Sequence, residues 1–318
     1  MPDFCFGFLL PTRGVVVEAG DDPADGSQIL HLAKKAETLG LDSVWIGDSV
    51  LAKPRLESFT TWAAVLGATR KIQVGTAVML AALRHPVMLA QSLATLDCLF
   101  PGRAVAGFGV GRVELRDEFE TLCVPIGERA RRLSETVEIV KRLMKEPKAD
   151  FSGKHFSLRE IELGLRPPTP GGPPIWIASN NADSGLRRVA RLADGWITNT
   201  VTADLYRECW EKILAYAGEA GRREIGNISR CLYVTMNINP DPRKAEKECG
   251  DFLSAYYKQP FGEVRKKNLV VVGDGAGIED RIRGYIDAGA ETFVIRFAGG
   301  SQEEQLENFV SGLMPRLS

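Results

Sequence analysis

Residues 43–49 read SVWIGDS and residues 72–78 read IQVGTAV, the latter trailed by Arg84, His85 and Pro86. Each is a short β-branched or aromatic run that stops at small or polar residues, as buried parallel strands do. In parallel α/β proteins the ligand groups collect at the carboxyl ends of the strands. These two runs therefore point to an α/β enzyme whose site lies at one end of its sheet.

Working outward, residues 4–10 give a first strand. Residues 28–39 give a helix with Ile29, Leu32, Ala33 and Ala36 on one face and Gly40 as its stop. Residues 58–69 form the helix after the 43–47 strand, and Pro86 suits the first turn of a helix running to Cys98. Residues 104–109 are a fourth strand, and residues 128–145 a long helix with Arg131, Arg132, Lys141 and Lys145 on a basic face. Strands at 175–178, 195–197, 231–238 and 292–296, with helices at 184–192, 205–220 and 278–288, bring the strands to eight. The proline- and glycine-rich stretch 146–174 has little periodicity and reads as an excursion over the fold. The expectation is a (β/α)8 TIM barrel with loop insertions at its C-terminal mouth, using residues 1–318 as one domain.

Composition narrows the function. The chain has 318 residues, 44% of them hydrophobic, with 40 basic against 41 acidic side chains and a net charge of -1. That balance carries no electrostatic footprint for nucleic acid and favours a small-molecule partner. Cys5, Cys98, Cys123, Cys209, Cys231 and Cys249 are scattered without a CxxC pair, which suits reduced thiols and a cytoplasmic location. The N-terminus, MPDFCFGFLLPTRG, lacks a basic region and a long apolar stretch, so a secretion signal and a membrane span are not expected.

The strand ends place Thr12, Asp48 with Ser49, Ala77 with Val78, Gly109 with Val110 and Gly111, Ser179 with Asn180 and Asn181, Thr198 with Asn199, and Arg296 around the mouth. Few of these are acid–base groups. The three histidines, His31, His85 and His155, fall in a helix, at a helix entrance and in the excursion, and neither a metal cluster nor a serine triad assembles. Such a mouth leaves the difficult chemistry to an organic cofactor. Several residues admit two readings. Gly107, Gly109 and Gly111 make a tight turn or a phosphate cradle. Ser179, Asn180 and Asn181 are N-caps or phosphate ligands at a helix start. Arg296 holds an anionic group or forms a salt bridge with a neighbouring loop. Arg84 and His85 read as a structural pair, and Trp45, Trp176 and Trp196 as core.

Beyond these readings, the stretches AETLGLDSVWIGDS (36–49), VGTAVMLAALRHPVMLAQSLATLDCLFPGRAVAGFGVG (74–111), FSGKHF (151–156), PPIWIASNN (173–181) and LADGWIT (192–198) carry a resemblance over nearly the whole chain. The sequence resembles the bacterial luciferase-like superfamily of flavin- and deazaflavin-dependent oxidoreductases. The resemblance implies a dimeric barrel that binds reduced FMN or coenzyme F420 at the mouth. It also implies a non-prolyl cis peptide at Ala77–Val78 and a cofactor site of Asp48, Ser49, Ala77, Val78, Gly109, Val110, Gly111, Ser179, Asn180, Asn181 and Thr198. Arg296 and Glu114 are candidates for the substrate, and Arg13, Arg112 and Arg116 for a basic groove facing an oligoglutamate tail. No catalytic residue is assigned.

Many F420-using relatives have a proton-handling histidine where this chain has Ser49, and nothing near Asp48 replaces it. The preferred expectation is therefore an FMNH2-dependent monooxygenase supplied by a separate flavin reductase. The alternatives are an F420-dependent dehydrogenase or reductase working by hydride transfer, and a flavin-binding protein without turnover.

Overall fold

In a computed structural model of the chain, residues 4–317 are described. Their strands are β1 (Cys5–Leu9), β2 (Ser43–Ile46), β3 (Gln73–Thr76), β4 (Ala104–Phe108), β5 (Ala149–Ser152), β6 (Ser157–Ile161), β7 (Ile175–Ala178), β8 (Gly195–Thr198), β9 (Ser229–Ile238), β10 (Val270–Gly273) and β11 (Thr292–Phe297). Eight of them pair in parallel in the closed order β1-β2-β3-β4-β7-β8-β9-β11, with β11 returning to β1. This is the expected (β/α)8 TIM barrel, with helices outside and the strand C-termini gathered at one mouth.

Alternation along the strands decides what fills the barrel and what meets the helices. Inward-facing Leu9, Trp45, Val105, Trp176, Ile197, Cys231 and Val294 form the inner cluster. Phe8, Val44, Ile46, Val74 and Ala106 belong to the larger core that includes the helices. Two indoles dominate the interior, with Trp45 and Trp176 ring centroids 5.2 Å apart. Glycines make room for them. A Cβ on Gly7 or Gly75 would lie 2.4 Å from the Trp45 ring, and one on Gly195 2.4 Å from that of Trp176. Trp196 faces outward and packs on Tyr206 and Trp210.

Three departures from the sequence reading bear on the mouth. The excursion at 146–174 contains the antiparallel hairpin β5–β6. Glu135, on the helix Arg129–Lys145, holds its turn by accepting hydrogen bonds from the N–H groups of Lys154 (2.9 Å), His155 (2.8 Å) and Phe156 (3.2 Å). Secondly, β9 outruns the barrel. Its first half pairs with β8 and its second half, on the same side, with β10.

The third departure is a helix at Pro242–Tyr257, where no element is expected from periodicity. Asp241 caps it by accepting from the Arg243 and Lys244 N–H groups, and Pro242 fits the first turn. Ala245, Cys249 and Leu253 are buried; Cys249 and Leu253 pack with Val264, Val270 and Ala298. Burying a leucine of this kind stabilises by about 1.5–3 kcal/mol. The helix stops at Lys258, which adopts the left-handed conformation (φ 52°). Among the described residues, no helix is long and apolar enough to cross a membrane.

Candidate active site

The mouth encloses a cavity of about 550 Å³. Asp48, Ser49, Ala77, Val78, Gly109, Val110, Gly111, Ser179, Asn180, Thr198, Glu114 and Arg296 all line it, whereas Asn181 is exposed outside it. The structure thus brings together nearly every residue that the strand-end argument selects. What their polar atoms are doing differs from residue to residue.

Asp48 has both carboxylate oxygens committed to the protein. Arg84 donates to them at 2.7 and 3.1 Å, the Leu80 N–H at 2.8 Å and Ser58 Oγ at 3.0 Å. Ser49 Oγ donates to the buried Glu118 carboxylate at 2.9 Å and accepts from the Lys53 N–H at 3.0 Å. Both side chains therefore fix the loop after β2. The structural reading of Arg84 and His85 holds: His85 Nδ1 accepts from the Val87 N–H at 3.3 Å and caps the helix Pro86–Leu99.

The Ala77–Val78 peptide is cis, as the resemblance implies. The glycines of the turn after β4 press against this segment. A Cβ on Gly107 would lie 1.9 Å from the Thr76 carbonyl oxygen, and one on Gly109 2.4 Å from Val78 Cγ2. The tight-turn reading of these glycines is thus met, on the wall of the cavity. Ser179, Asn180 and Asn181 are not N-caps, because the helix Asp183–Leu192 begins behind Ala182 with no side-chain cap. Instead Asn180 Oδ1 accepts from Thr198 Oγ1 (3.0 Å) and from the Asn199 N–H (3.2 Å), tying the end of β7 to that of β8.

Arg296 lines the mouth and, among the described residues, forms no salt bridge. It donates to Thr235 Oγ1 at 2.7 Å and to Tyr257 Oη at 3.2 Å. Burial disfavours its charge, but the oxygens of Tyr233, Tyr257 and Tyr256 more than offset that and hold the guanidinium firmly protonated. Lys53, Arg55 and Arg112 join it on the cavity wall, and Arg13 reaches the same cluster by donating to the Tyr256 carbonyl at 2.8 Å. Among the described residues, none of these five cations has a carboxylate at ion-pair distance. Arg116 stands apart, exposed and paired with Glu120.

Sequence reasoning missed Lys53, Arg55, Tyr233, Tyr256, Tyr257 and Asn268. Two tyrosines come from the unforeseen helix, whose Asp241–Pro242 start is a usable sequence signal. Asn268 Oδ1 gathers Arg112 (3.1 Å), Asn199 (3.2 Å) and Tyr257 Oη (3.5 Å), a convergence that only the fold creates. Burial alone would raise the Tyr256 phenol, but Arg55, Arg296 and Lys53 reverse this and bring it down to about 7. Tyr257 is also lowered: burial opposes, and Arg296 and Lys53 prevail.

The mouth thus combines an apolar floor, a glycine-walled cleft and five cations that, among the described residues, have no carboxylate partner. The family description "luciferase-like monooxygenase" matches residues 5–298, and the chain belongs to that family and is an oxidoreductase. It is 30% identical over 317 residues to an F420-dependent glucose-6-phosphate dehydrogenase of Kineococcus radiotolerans, covering 91% of this chain and 93% of that protein. The protein of the same description from Rhodococcus erythropolis is 27% identical, with 91% and 93% covered. Among solved structures, an F420-dependent secondary alcohol dehydrogenase in complex with an F420–acetone adduct superposes with a TM-score of 0.82 at 19% identity, covering 99% of each chain. The coenzyme F420-dependent tetrahydromethanopterin reductase of Methanopyrus kandleri gives 0.79 at 20%, covering 99% of this chain and 100% of that one. These two likenesses speak for the fold.

The expectation of an FMNH2-dependent monooxygenase is overturned by the curated relatives, which are F420-dependent dehydrogenases. Its premise was a mouth without proton-handling groups around Ser49. The helix Pro242–Tyr257 brings two phenols, Tyr256 and Tyr257, to the mouth from a distant part of the chain.

Proposed function

We propose that the chain is an F420-dependent oxidoreductase that oxidises a hydroxyl-bearing carbon, or reduces the matching carbonyl, by hydride transfer. The observation that carries this reading is the 30% identity to an F420-dependent dehydrogenase along nine-tenths of both chains. The site fits the group on its own chemistry. Ala77, Val78, Val110 and Ile197 offer an apolar surface to a flat ring, and Gly109 leaves that surface open where a side chain would fill it. Lys53, Arg55, Arg112 and Arg296 suit the phosphate and glutamate carboxylates of the cofactor tail, or an anionic substrate.

When bound, the deazaflavin supplies the two-electron hydride acceptor or donor. The protein's own part is to bind, orient and handle a proton. Asn180 and Thr198 hold the ends of β7 and β8 together on the cavity wall. The Asp48–Arg84 pair keeps the turn after β3 in place. The rest of the cofactor site read from the strand ends, Ser49, Gly111 and Ser179, lines the same wall.

The test is a fluorescence titration of the purified protein with F420 and with FMN, each oxidised and reduced. It is followed by absorbance monitoring of F420 on adding glucose 6-phosphate or secondary alcohols. Tight F420 binding and substrate-dependent F420 reduction are expected. Binding of reduced FMN without F420 binding would refute the proposal.

A further inference from the structure

Among the described residues no histidine lines the mouth, yet hydride transfer at a carbon bearing oxygen requires a proton to leave or join that oxygen. One hydroxyl in the cavity is arranged for it. Tyr256 is half-buried and faces the cavity, and its Oη has one hydrogen-bond partner among the described residues, Arg55 Nη2 at 3.0 Å. A guanidinium only donates, so the Tyr256 oxygen is the acceptor there and the phenol's own hydrogen has no protein acceptor. Tyr257 differs, because its Oη accepts from Arg296 and donates to Asn268.

We propose that Tyr256 is the acid–base group of this enzyme, exchanging a proton with the substrate oxygen while hydride moves to or from carbon. The proposal rests on the F420-dependent reading above. In the oxidative direction the substrate C–H bond breaks and its electron pair leaves with hydrogen as hydride to the deazaflavin, which is reduced. The O–H proton passes to the Tyr256 phenolate oxygen, which becomes the phenol, and the substrate, oxidised by two electrons, becomes a carbonyl compound. In the reductive direction Tyr256 returns the proton, and the cavity's opening lets solvent replenish it.

The surroundings favour the phenolate that such a base needs. Arg13, after β1, lies 4.4 Å from the Tyr256 ring centroid, Lys53, after β2, 5.4 Å, and Arg296, in β11, 5.0 Å. Arg55 holds the oxygen itself. The Tyr257 and Phe252 rings pack against it at 5.0 and 5.8 Å. Arg112, Tyr233 and Asn268 share the cavity, as do two carboxylates, Asp48, paired with Arg84, and Glu114, 3.9 Å from Lys267. No carboxylate among the described residues pairs with the cations nearest the phenol, so their field is not cancelled locally. That field is why Tyr256 ionises near 7 despite its burial.

The experiment is an ultraviolet titration of tyrosinate in the cofactor-free protein, comparing wild type with Tyr256→Phe, Tyr257→Phe and Arg55→Met. Beside it run F420 affinity by fluorescence and the pH profile of kcat/KM for alcohol oxidation. The ionisation near pH 7 in wild type is expected to vanish in Tyr256→Phe, to persist in Tyr257→Phe, whose phenol the same cations also lower, and to move to higher pH in Arg55→Met. Tyr256→Phe should bind F420 as wild type does, lose the rise of kcat/KM through neutral pH, and lose about 100-fold or more in kcat. If wild type binds and reduces F420 but shows no tyrosine ionising below about pH 9, or if Tyr256→Phe keeps wild-type kcat, the acid–base assignment is wrong while the F420 reading stands. A wild-type protein that does not bind F420 would overturn both.

Discussion

Arg84 grips both carboxylate oxygens of Asp48, at 2.7 and 3.1 Å, and thereby locks the end of β2 to the turn that follows β3. Asp48 is nearly inaccessible and Arg84 largely buried, so this pair works in a poorly solvated setting. Burial by itself would lower the Arg84 guanidinium, and the charges of Asp48 and Glu57 more than reverse this.

Asp48→Asn should therefore cost about 1–3 kcal/mol of stability, because it leaves the largely buried Arg84 with Glu57, at 3.4 Å, as its remaining carboxylate. Adding Arg84→Met should recover part of that loss. Denaturant unfolding of the three variants checks it, and an additive double variant would show that the two side chains act independently.

Glu118→Gln should loosen the loop that carries Lys53. The Glu118 carboxylate accepts from Ser49 Oγ at 2.9 Å and from the N–H groups of Val50 (2.5 Å) and Ala52 (3.3 Å). An amide offers one acceptor oxygen and turns an NH2 toward donors, a change of about 1–3 kcal/mol. Faster amide exchange at residues 50–53, with F420 bound more weakly, is the expected outcome.

Gly109→Ala should displace the Ala77–Val78 wall of the cavity, since the new methyl would come within 2.4 Å of Val78 Cγ2. Overpacking of this kind costs about 1–3 kcal/mol. Val78→Ala in the same chain removes the opposing methyl and should restore F420 affinity, measured by fluorescence. Weak binding that Val78→Ala does not rescue would place the effect elsewhere.

Lys53→Met should stabilise the cofactor-free protein while weakening anion binding. Burial, reinforced by Arg112 and Arg55, pushes Lys53 below its ordinary range despite the opposing Tyr257 and Tyr256 oxygens. The folded state thus releases this proton more readily than the unfolded chain. Wild-type stability then carries a penalty at neutral pH that eases as pH rises through the lowered value toward the ordinary lysine value, about 10.4. Thermal unfolding from neutral to alkaline pH should show that easing in wild type and not in Lys53→Met. The variant should bind F420 about tenfold more weakly, the size of one charge-assisted contact.

The barrel was legible because its code is local. Apolar runs such as SVWI and the periodic face Ile29, Leu32, Ala33, Ala36 report which side of each element is buried. Strand ends are local too, so the residues of the mouth, from Asp48 to Arg296, were nameable without any contact information. Their roles were not. Whether Asp48 faces a ligand or Arg84, and whether Asn180 caps a helix or ties β7 to β8, depends on partners many residues away.

The tertiary structure alone decided the chemistry of the mouth. Five cations from four separate segments, Arg13, Lys53 with Arg55, Arg112 and Arg296, converge on two tyrosines at the end of the helix Pro242–Tyr257. A chain with 40 basic and 41 acidic groups gives no sign of that concentration. Net charge is a sum over the whole sequence, whereas the ionisation of Tyr256 answers to the few charges that folding brings within several ångströms of it.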